Sequence, residues 1–406
     1  MINPHIESPL LLCTIIRKLI KLLKIMKKHK ICVIGDGLSG LITAQKLSNL
    51  DVKIDLVSKG QIDLENDNRT TAISPSNLKF ILENLPKKAE KIFYPCKKVC
   101  LYHEVTDNNI SNFMNFNDNE KTIMYIVENK KLKNLFLNSL KKNKNVFFIK
   151  KKINKINIFN TSLVFKKNKR FYDLIVICTG RNNQISEKVF GSRSIQENKE
   201  DMAITCIIKH NLKICESKQY FLKEGPLALL PISESKLSLI WSMNKNFKKY
   251  SPKELEVLVI KKINHLFKNK IKYNLTPINT FPINFRFKKK IFNKNVGGIG
   301  ESIYNFYPVA GQGFNLVLRD IENLHKNINQ NLLLGLPIKD STILSDLSKS
   351  RKPEDLLYGI GINLTQKFFR YNNFTEPAKR AILKELDKLK FIKKIGLNIV
   401  DKGLQL

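Results

Sequence analysis

Short runs of β-branched and aliphatic residues alternate along the chain with stretches whose apolar positions recur every three or four residues, the pattern of strands alternating with helices. Residues 31–34 (ICVI) have the continuous apolar character of a buried parallel strand. Gly35-Asp36-Gly37-Leu38-Ser39-Gly40 follows at once, and Leu41, Ala44 and Leu47 then fall on one helical face. A second strand is predicted over Lys53–Val57. Strand, glycine turn, helix and strand make a βαβ unit.

Further on, Asn68–Ser74 (NRTTAIS) reads as a polar loop and Pro75–Leu85 as a helix. Residues 96–128 alternate like sheet, and Asn129–Lys142 carries Leu132, Leu135, Phe136 and Leu140 at helical spacing. Two strands are predicted within 146–165, and Phe171–Cys178 (FYDLIVIC) is an apolar strand ending at Thr179-Gly180. ALLPI and LSLIWSM are strands within 200–285, interrupted by a lysine-rich helix over about 252–268, and Trp241 on one of them is expected in the core. The run VGGIG (296–300) precedes a loop and a helix, FNLVLRDIENLHKNI, and the tail at 340–396 is mostly helical. No repeat or long linker appears. A nucleotide-binding core made of separated stretches, with a second sheet inserted between them, accounts for this order.

The length of 406 residues suits roughly two to three domains, and 43% hydrophobic residues exclude global disorder. Collagen-like and mucin-like classes fail on too little Gly and Pro. No apolar run reaches the ~18–20 residues of a spanning helix. Lys and Arg number 71 against 35 Asp and Glu, a net charge of +36. Lysine is spread everywhere and travels with Asn and Ile, whose codons are A/T-rich, so base composition with solvated lysine faces is one reading. Attraction to an anionic membrane surface is the other. No zinc-finger spacing, RNP-like segment or recognition helix supports nucleic-acid binding.

The seven cysteines are scattered. Cys32 and Cys178 lie in apolar runs as small core residues, and a reducing compartment is expected. Cys96 and Cys100 can meet on one helix turn, but two thiols alone make a poor metal site. Six histidines show no ligand spacing, and neither a GxSxG elbow nor a GxxxxGK[ST] loop occurs. No metal is expected. Leu10–Met26 is apolar and basic; it is either an amphipathic surface helix or a stretch ahead of a true start at Met26.

Candidate chemistry begins at the first glycine turn. Gly35 permits a tight bend, Gly37 lets a pyrophosphate approach the backbone, and Gly40 lets the helix pack on the strand. The helix N-terminus favours the anion. An acid usually closes the second strand and binds a ribose; here Ser58-Lys59 stands instead. Lys59 alone does not make an NADP phosphate site, so FAD with a ribose contact weakened to Ser58 fits better.

The second glycine segment is GIGESIYNFYPVAGQGFNLVLRDIENL (298–324). A strand delivers Gly300-Glu301. Pro308, Gly311 and Gly313 shape a loop that opens a helix, whose start can stabilise negative charge on a flat ligand such as a reduced flavin. Arg319-Asp320 can anchor that helix by ion pairing.

Together, GDGLSG (35–40), NRTTAIS (68–74), YDLIVICTG (172–180), GPLALLP (225–231) and GES…YPVAGQGFNLVLRD (300–320) resemble the FAD-dependent aromatic hydroxylases of ubiquinone biosynthesis, within the group A flavoprotein monooxygenases. The likeness runs from about residue 29 to 403. It implies a Rossmann-like FAD-binding domain over 29–95, 129–190 and 286–330, a mixed-sheet substrate domain over 96–128 and 191–285 and a helical region over 331–406; residues 1–28 read, from their own composition, as a basic extension ahead of it. Gly35, Gly37 and Gly40, with Leu38 and Ser39, would hold the FAD pyrophosphate. Arg69 would lie by the flavin or its phosphates, Gly180 beside the cofactor, and Gly300-Glu301 at the ribityl chain. Pro308, Gly311, Gln312, Gly313, Phe314 and Asn315 would surround the flavin ring, and Asn129 matches a further position near the cofactor.

Three departures are visible. The acid after the second strand is absent, the family's Asp-Gly is Thr179-Gly180, and its Gly-Asp-Ala-Ala-His is Gly300-Glu301-Ser302-Ile303-Tyr304. The resemblance implies hydroxylation of a polyprenylated phenol or quinone precursor with NAD(P)H and O2 through a C4a-hydroperoxyflavin. It also implies a peripheral place at the cytoplasmic face of a bacterial inner membrane, and membership of a ubiquinone-biosynthesis complex. The departures motivate one alternative, a cofactor-poor scaffold of such a complex; a related flavin-dependent reductase acting on isoprenoid chains is a further one.

Overall fold

The computed structural model describes residues 28–59, 67–83, 85–106, 109–117, 121–166, 168–181, 183–196, 201–268, 270–307, 313–339, 342–370 and 375–403. The sequence readings of residues 1–27 and of Pro308, Gly311 and Gln312 fall outside them.

The βαβ unit forms as its pattern predicts. His29–Ile34 pairs in parallel with Val52–Ser58, and the helix Leu38–Leu47 lies between them in the chain. The sheet extends in the order Phe292–Asn293, Val296–Gly298, Leu174–Ile177, His29–Ile34, Val52–Ser58, Val146–Lys150. Every pairing is parallel except the first. Strands of such a sheet are covered on both faces, which is why they read as unbroken apolar runs. Ile31, Cys32, Val33, Leu174, Ile175 and Val176 are all buried, each large side chain contributing about 1.5–3 kcal/mol of transfer free energy. Leu41, Ala44 and Leu47 face this core, together with Leu132 and Phe136 of Asn129–Lys141 and Leu316, Ile321 and Leu324 of the long helix Gly313–Leu333.

A second, mixed sheet runs Tyr273–Leu275, Asp201–His210, Lys236–Met243, Pro226–Ser233, Ser217–Phe221, Lys98–Thr106, Asn109–Asn117, with Asn279–Ile283 also on Asp201–His210. Two separated chain segments meet in it where Ser217–Phe221 joins Lys98–Thr106 in parallel. The helix Pro252–Leu266 covers one face with Leu255, Val259 and Ile263, and Trp241 is buried in that core. Ser251 and Glu254 close its N-terminus as a capping box.

The tail forms the helices Thr342–Arg370, Glu376–Lys388 and Lys390–Lys402. The first packs on the long helix through ion pairs described below. The predicted helix at 75–85 ends earlier, at Leu82. One expectation is corrected: Cys96 and Cys100 share no helix turn. They sit on the strands Tyr94–Cys96 and Lys98–Thr106, because the local period is two rather than three to four. No disulfide or metal-binding cluster occurs among the described residues.

Candidate active site

A cavity of about 450 Å³ lies where the parallel sheet, the long helix and the second sheet meet. The glycine turn forms one end. Gly35 has φ +121, a conformation that disfavours a side chain, and its N–H bonds the Val57 carbonyl at 2.9 Å. A methyl group there would collide with the Cys178 carbonyl. Gly37 is different: an added Cβ would meet nothing within 4 Å, so the backbone at the helix start is open to the cavity. The helix Leu38–Leu47 has Gly37 as its N-cap, with no side-chain cap and no acid in its first turn. Its free N–H groups and dipole therefore favour an anion.

Glu301 and Gly180 border the cavity next, with Thr179 and Arg181. Arg181 Nε points at Glu301 Oε1 at 3.4 Å, and its guanidinium lies 5.4 Å from the Phe281 ring centre. Arg69 borders it from the Asn68–Ser74 segment, bonded through Nε and Nη2 to Asp67 at 2.7 and 2.8 Å. Burial alone would raise the Asp67 carboxyl, but the Arg69 bonds outweigh it and hold that group below its ordinary range. Asn129 accepts from Thr71 Oγ1 at 2.7 Å on the same wall. Gly313 and Phe314, opening the long helix, complete this part, and Tyr304 and Phe306 lie near them. Burial, then the neighbouring Asp320, pushes the Tyr304 phenol well above its usual pKa. Burial pushes the Cys178 thiol up to about 12, which removes it as a nucleophile near neutral pH.

The far wall comes from the second sheet. Thr205 and Ile240 are cross-strand neighbours, Phe281 pairs with Ala203, and Thr205, Ile240 and Phe281 all face the cavity. Along Asp201–His210 the even positions Met202, Ile204, Cys206 and Ile208 enter the core, so the pleat turns Thr205 the other way.

Of the residues singled out from the sequence, Gly35, Gly37, Leu38, Ser39, Arg69, Asn129, Gly180, Glu301, Gly313 and Phe314 line this one cavity. Gly40 and Gly300 lie directly behind it, against Gly35 and Ser39 respectively. Ser58 and Asn315 do not line it. Ser58 sits half-buried at its strand end, and Asn315 is spent on structure: its Oδ1 accepts from the Ser74 N–H at 2.9 Å and its Nδ2 donates to the Ala72 carbonyl at 3.0 Å. Arg181, Thr205, Ile240, Phe281, Phe306 and Tyr307 were not anticipated. Arg181 had one local signal, its place directly after a glycine at a parallel strand's carboxyl end. Thr205, Ile240 and Phe281 are set by strand pairing over long sequence separations, whereas Phe306 and Tyr307 follow the short strand Tyr304–Asn305 inside the second glycine segment.

The polar lining fits a dinucleotide: the backbone at Gly37 and the Arg181 guanidinium donate, and the Asp36 carboxylate accepts. Asp36 Oδ2 and Arg181 Nη1 are shielded polar atoms without a hydrogen-bond partner among the described residues, and both residues border the cavity beside the open Gly37 backbone. The fold is that of the FAD-dependent monooxygenases. Covering 93% of this chain and 99% of its own length at TM-score 0.74 and 14% identity, p-nitrophenol 4-monooxygenase PnpA from Pseudomonas putida shares it. So does Klebsiella pneumoniae HpxO complexed with FAD and uric acid, over 92% of this chain and 96% of its own at TM-score 0.71 and 13% identity.

In sequence, the chain is similar to ubiquinone biosynthesis monooxygenase COQ6 of Dictyostelium discoideum, at 23% identity over 285 residues, which is 56% of each chain. The chain spans about half the length of the curated relatives it matches. No family model matches it.

Proposed function

We propose that this protein is a flavin-dependent monooxygenase that hydroxylates the ring of a polyprenylated phenol in ubiquinone biosynthesis. One observation carries the reading: two glycine-bearing helix starts, Gly37-Leu38 and Gly313-Phe314, distant in sequence, open on a single cavity walled on its far side by the second sheet. FAD, when bound, supplies the redox and oxygen chemistry, with NAD(P)H as reductant.

The chain's own residues do the rest. The uncapped start of Leu38–Leu47 receives the pyrophosphate through backbone N–H groups around Gly37 and Ser39. Glu301 accepts hydrogen bonds from the sugar-alcohol chain, with Arg181 holding the carboxylate in place. Arg69 offers positive charge at the cavity edge. The N-terminal end of Gly313–Leu333 favours negative charge on the ring system. The pocket between Ile240, Phe281, Phe306 and Tyr307 orients an aromatic ring and excludes water from it. Pro308, Gly311 and Gln312 are proposed to complete the ring surround.

The test is direct. The purified chain should be yellow, retain FAD, and convert a prenylated phenol to a hydroxylated product with matching NAD(P)H and O2 consumption. A colourless protein that takes up no added FAD overturns the reading in favour of a scaffold. Reduction of a prenyl chain without ring hydroxylation would favour a reductase.

An anionic membrane surface is the proposed partner. The helix Lys390–Lys402 exposes Phe391 and Ile395 beside Lys390, Lys393 and Lys394, and Leu389 is exposed just ahead of it. Exposed apolar groups among lysines suit a lipid headgroup region. Among the described residues no helix is long and apolar enough to cross a membrane. Binding to anionic vesicles that salt reverses, with none to neutral vesicles, is the expected result.

A further inference from the structure

The glycine turn of this chain carries an acid at a position that the GxGxxG pattern leaves free. Asp36 stands between Gly35 and Gly37 and borders the cavity, and its Oδ2 is shielded from water with no hydrogen-bond partner among the described residues. A shielded carboxylate oxygen without a partner is costly, and native folds keep few of them. At the end of Val52–Ser58, where an acid would ordinarily meet a ribose, Ser58 stands instead and does not line the cavity.

Sheet order places Asp36 relative to a dinucleotide. Val296–Gly298, Leu174–Ile177, His29–Ile34 and Val52–Ser58 are successive parallel strands, so their carboxyl ends form one row. Glu301 follows the first of these strands and lies beside Gly180, which follows the second: a Cβ added to Gly180 would stand 3.7 Å from Glu301 Oε2. Asp36 follows the third. The bond from the Gly35 N–H to the Val57 carbonyl carries the ladder past Ile34 on the side of the fourth, so Asp36 leaves the sheet next to the end of Val52–Ser58. A dinucleotide lies across such a row of strand ends with its pyrophosphate at the helix start. Glu301 then stands on the side of one sugar and Asp36 on the side of the other.

Charge decides which atoms Asp36 can meet. An ionised carboxylate only accepts hydrogen bonds. The pyrophosphate offers acceptors and negative charge, so it repels the Asp36 side chain. The hydroxyls of the adjoining sugar are neutral donors, and a hydrogen bond that one of them gives to a carboxylate is roughly twice as strong as one between neutral groups.

We propose that Asp36 accepts hydrogen bonds from the ribose hydroxyls of the adenosine half of the cofactor, so that the acid missing from the end of Val52–Ser58 is supplied from within the glycine turn. This inference rests on the flavoprotein reading for the identity of the dinucleotide, and it adds the residue that reads the adenosine sugar.

The test measures binding, without turnover, on the full chain freed of flavin. Fluorescence titration would compare FAD with the analogue that carries 2′,3′-dideoxyadenosine in place of adenosine, so that only the two ribose hydroxyls differ. Wild type should hold FAD at least about tenfold more tightly than the analogue, since a site built to bond a hydroxyl discriminates strongly against a ligand lacking it. Asp36→Ala should weaken FAD at least about tenfold and leave the analogue within about threefold of its wild-type affinity, a split that a general disturbance of the turn would not produce. Should Asp36→Ala fail to fold, Asp36→Asn, which keeps the shape and removes the charge, should still lower the preference at least about threefold. Equal affinity of wild type for the two ligands, an equal loss of both in Asp36→Ala, or an undiminished preference in either variant overturns the proposal and leaves the flavoprotein reading standing. A chain that takes up neither ligand overturns the flavoprotein reading, and this inference with it.

Discussion

Tyr304, on the wall of the cavity, donates its phenol hydrogen to Asp320 of the long helix across 2.6 Å. Asp320 in turn accepts from Arg351 Nε at 2.8 Å, and Arg351 also reaches Asp355 at 2.9 Å and Glu354. Arg319 faces Glu354 at 3.1 Å. All of these side chains are buried. The Tyr304 phenol is thus tied into a charge cluster that fastens the helix Thr342–Arg370 behind the cavity. Burial opposes the charge on Arg351, but the three carboxylates outweigh it and keep the guanidinium protonated.

Removing Arg351 strands those carboxylates. Arg351→Met should destabilise the protein by about 3–5 kcal/mol, the cost of breaking a buried ion pair from one side. Tyr304→Phe should cost only ~1–2 kcal/mol, because Asp320 keeps its bond to Arg351. Denaturant unfolding of the three proteins checks the ranking; equal losses would contradict the cluster's arrangement.

Two glycines of one turn should fail in opposite ways. A methyl group on Gly40 would run into the Gly35 carbonyl, whereas one on Gly37 meets nothing. Gly40→Ala should therefore lower stability by about 1–3 kcal/mol through overpacking. Gly37→Val should leave apoprotein stability within ~0.5 kcal/mol and weaken FAD at least about tenfold, by crowding the backbone where the pyrophosphate approaches. Melting curves of the apoproteins and FAD titrations separate the two effects.

Glu301 is held by one long contact to Arg181 and has room to accept from a ligand. Glu301→Ala should reduce FAD affinity about tenfold, equivalent to ~1.4 kcal/mol, with little change in apoprotein melting. Glu301→Asp should recover most of that affinity, since it restores the charge. Fluorescence titration of FAD reads both.

Acid should weaken the Asn68–Ser74 segment through the Arg69–Asp67 pair. The Asp67 pKa is lowered in the folded protein, so its contribution to stability is complete above the unfolded value of about 4 and is lost as pH falls through the lower folded value. Asp67→Asn should be less stable than wild type at pH 6, and the gap should close toward pH 2. A gap that stays constant across that range would show that the carboxylate charge is irrelevant.

The anatomy of the parallel-sheet half was legible in the sequence because its instructions are local. A β-branched run, three glycines at fixed spacing and apolar residues every three or four positions specify strand, turn and helix within some thirty residues, and the Leu38–Leu47 helix starts at the fourth position of that turn, with Gly37 as its N-cap. The second glycine segment was legible for the same reason. Ser58 and Asn315 show the limit: each occupies a position next to a real motif, yet strand-end geometry and hydrogen bonding to Ser74 and Ala72 keep them off the cavity wall.

By itself the sequence determined the βαβ unit, the two glycine-bearing helix starts and the presence of a second sheet, since each depends on residues close together in the chain. Only the tertiary structure decided that Thr205, Ile240 and Phe281 face Gly37 and Phe314 across one cavity, and that Tyr304 is bound to Asp320 rather than free. The physical reason is that strand register and side-chain pairing depend on which surfaces bury one another, and no short window of sequence encodes that.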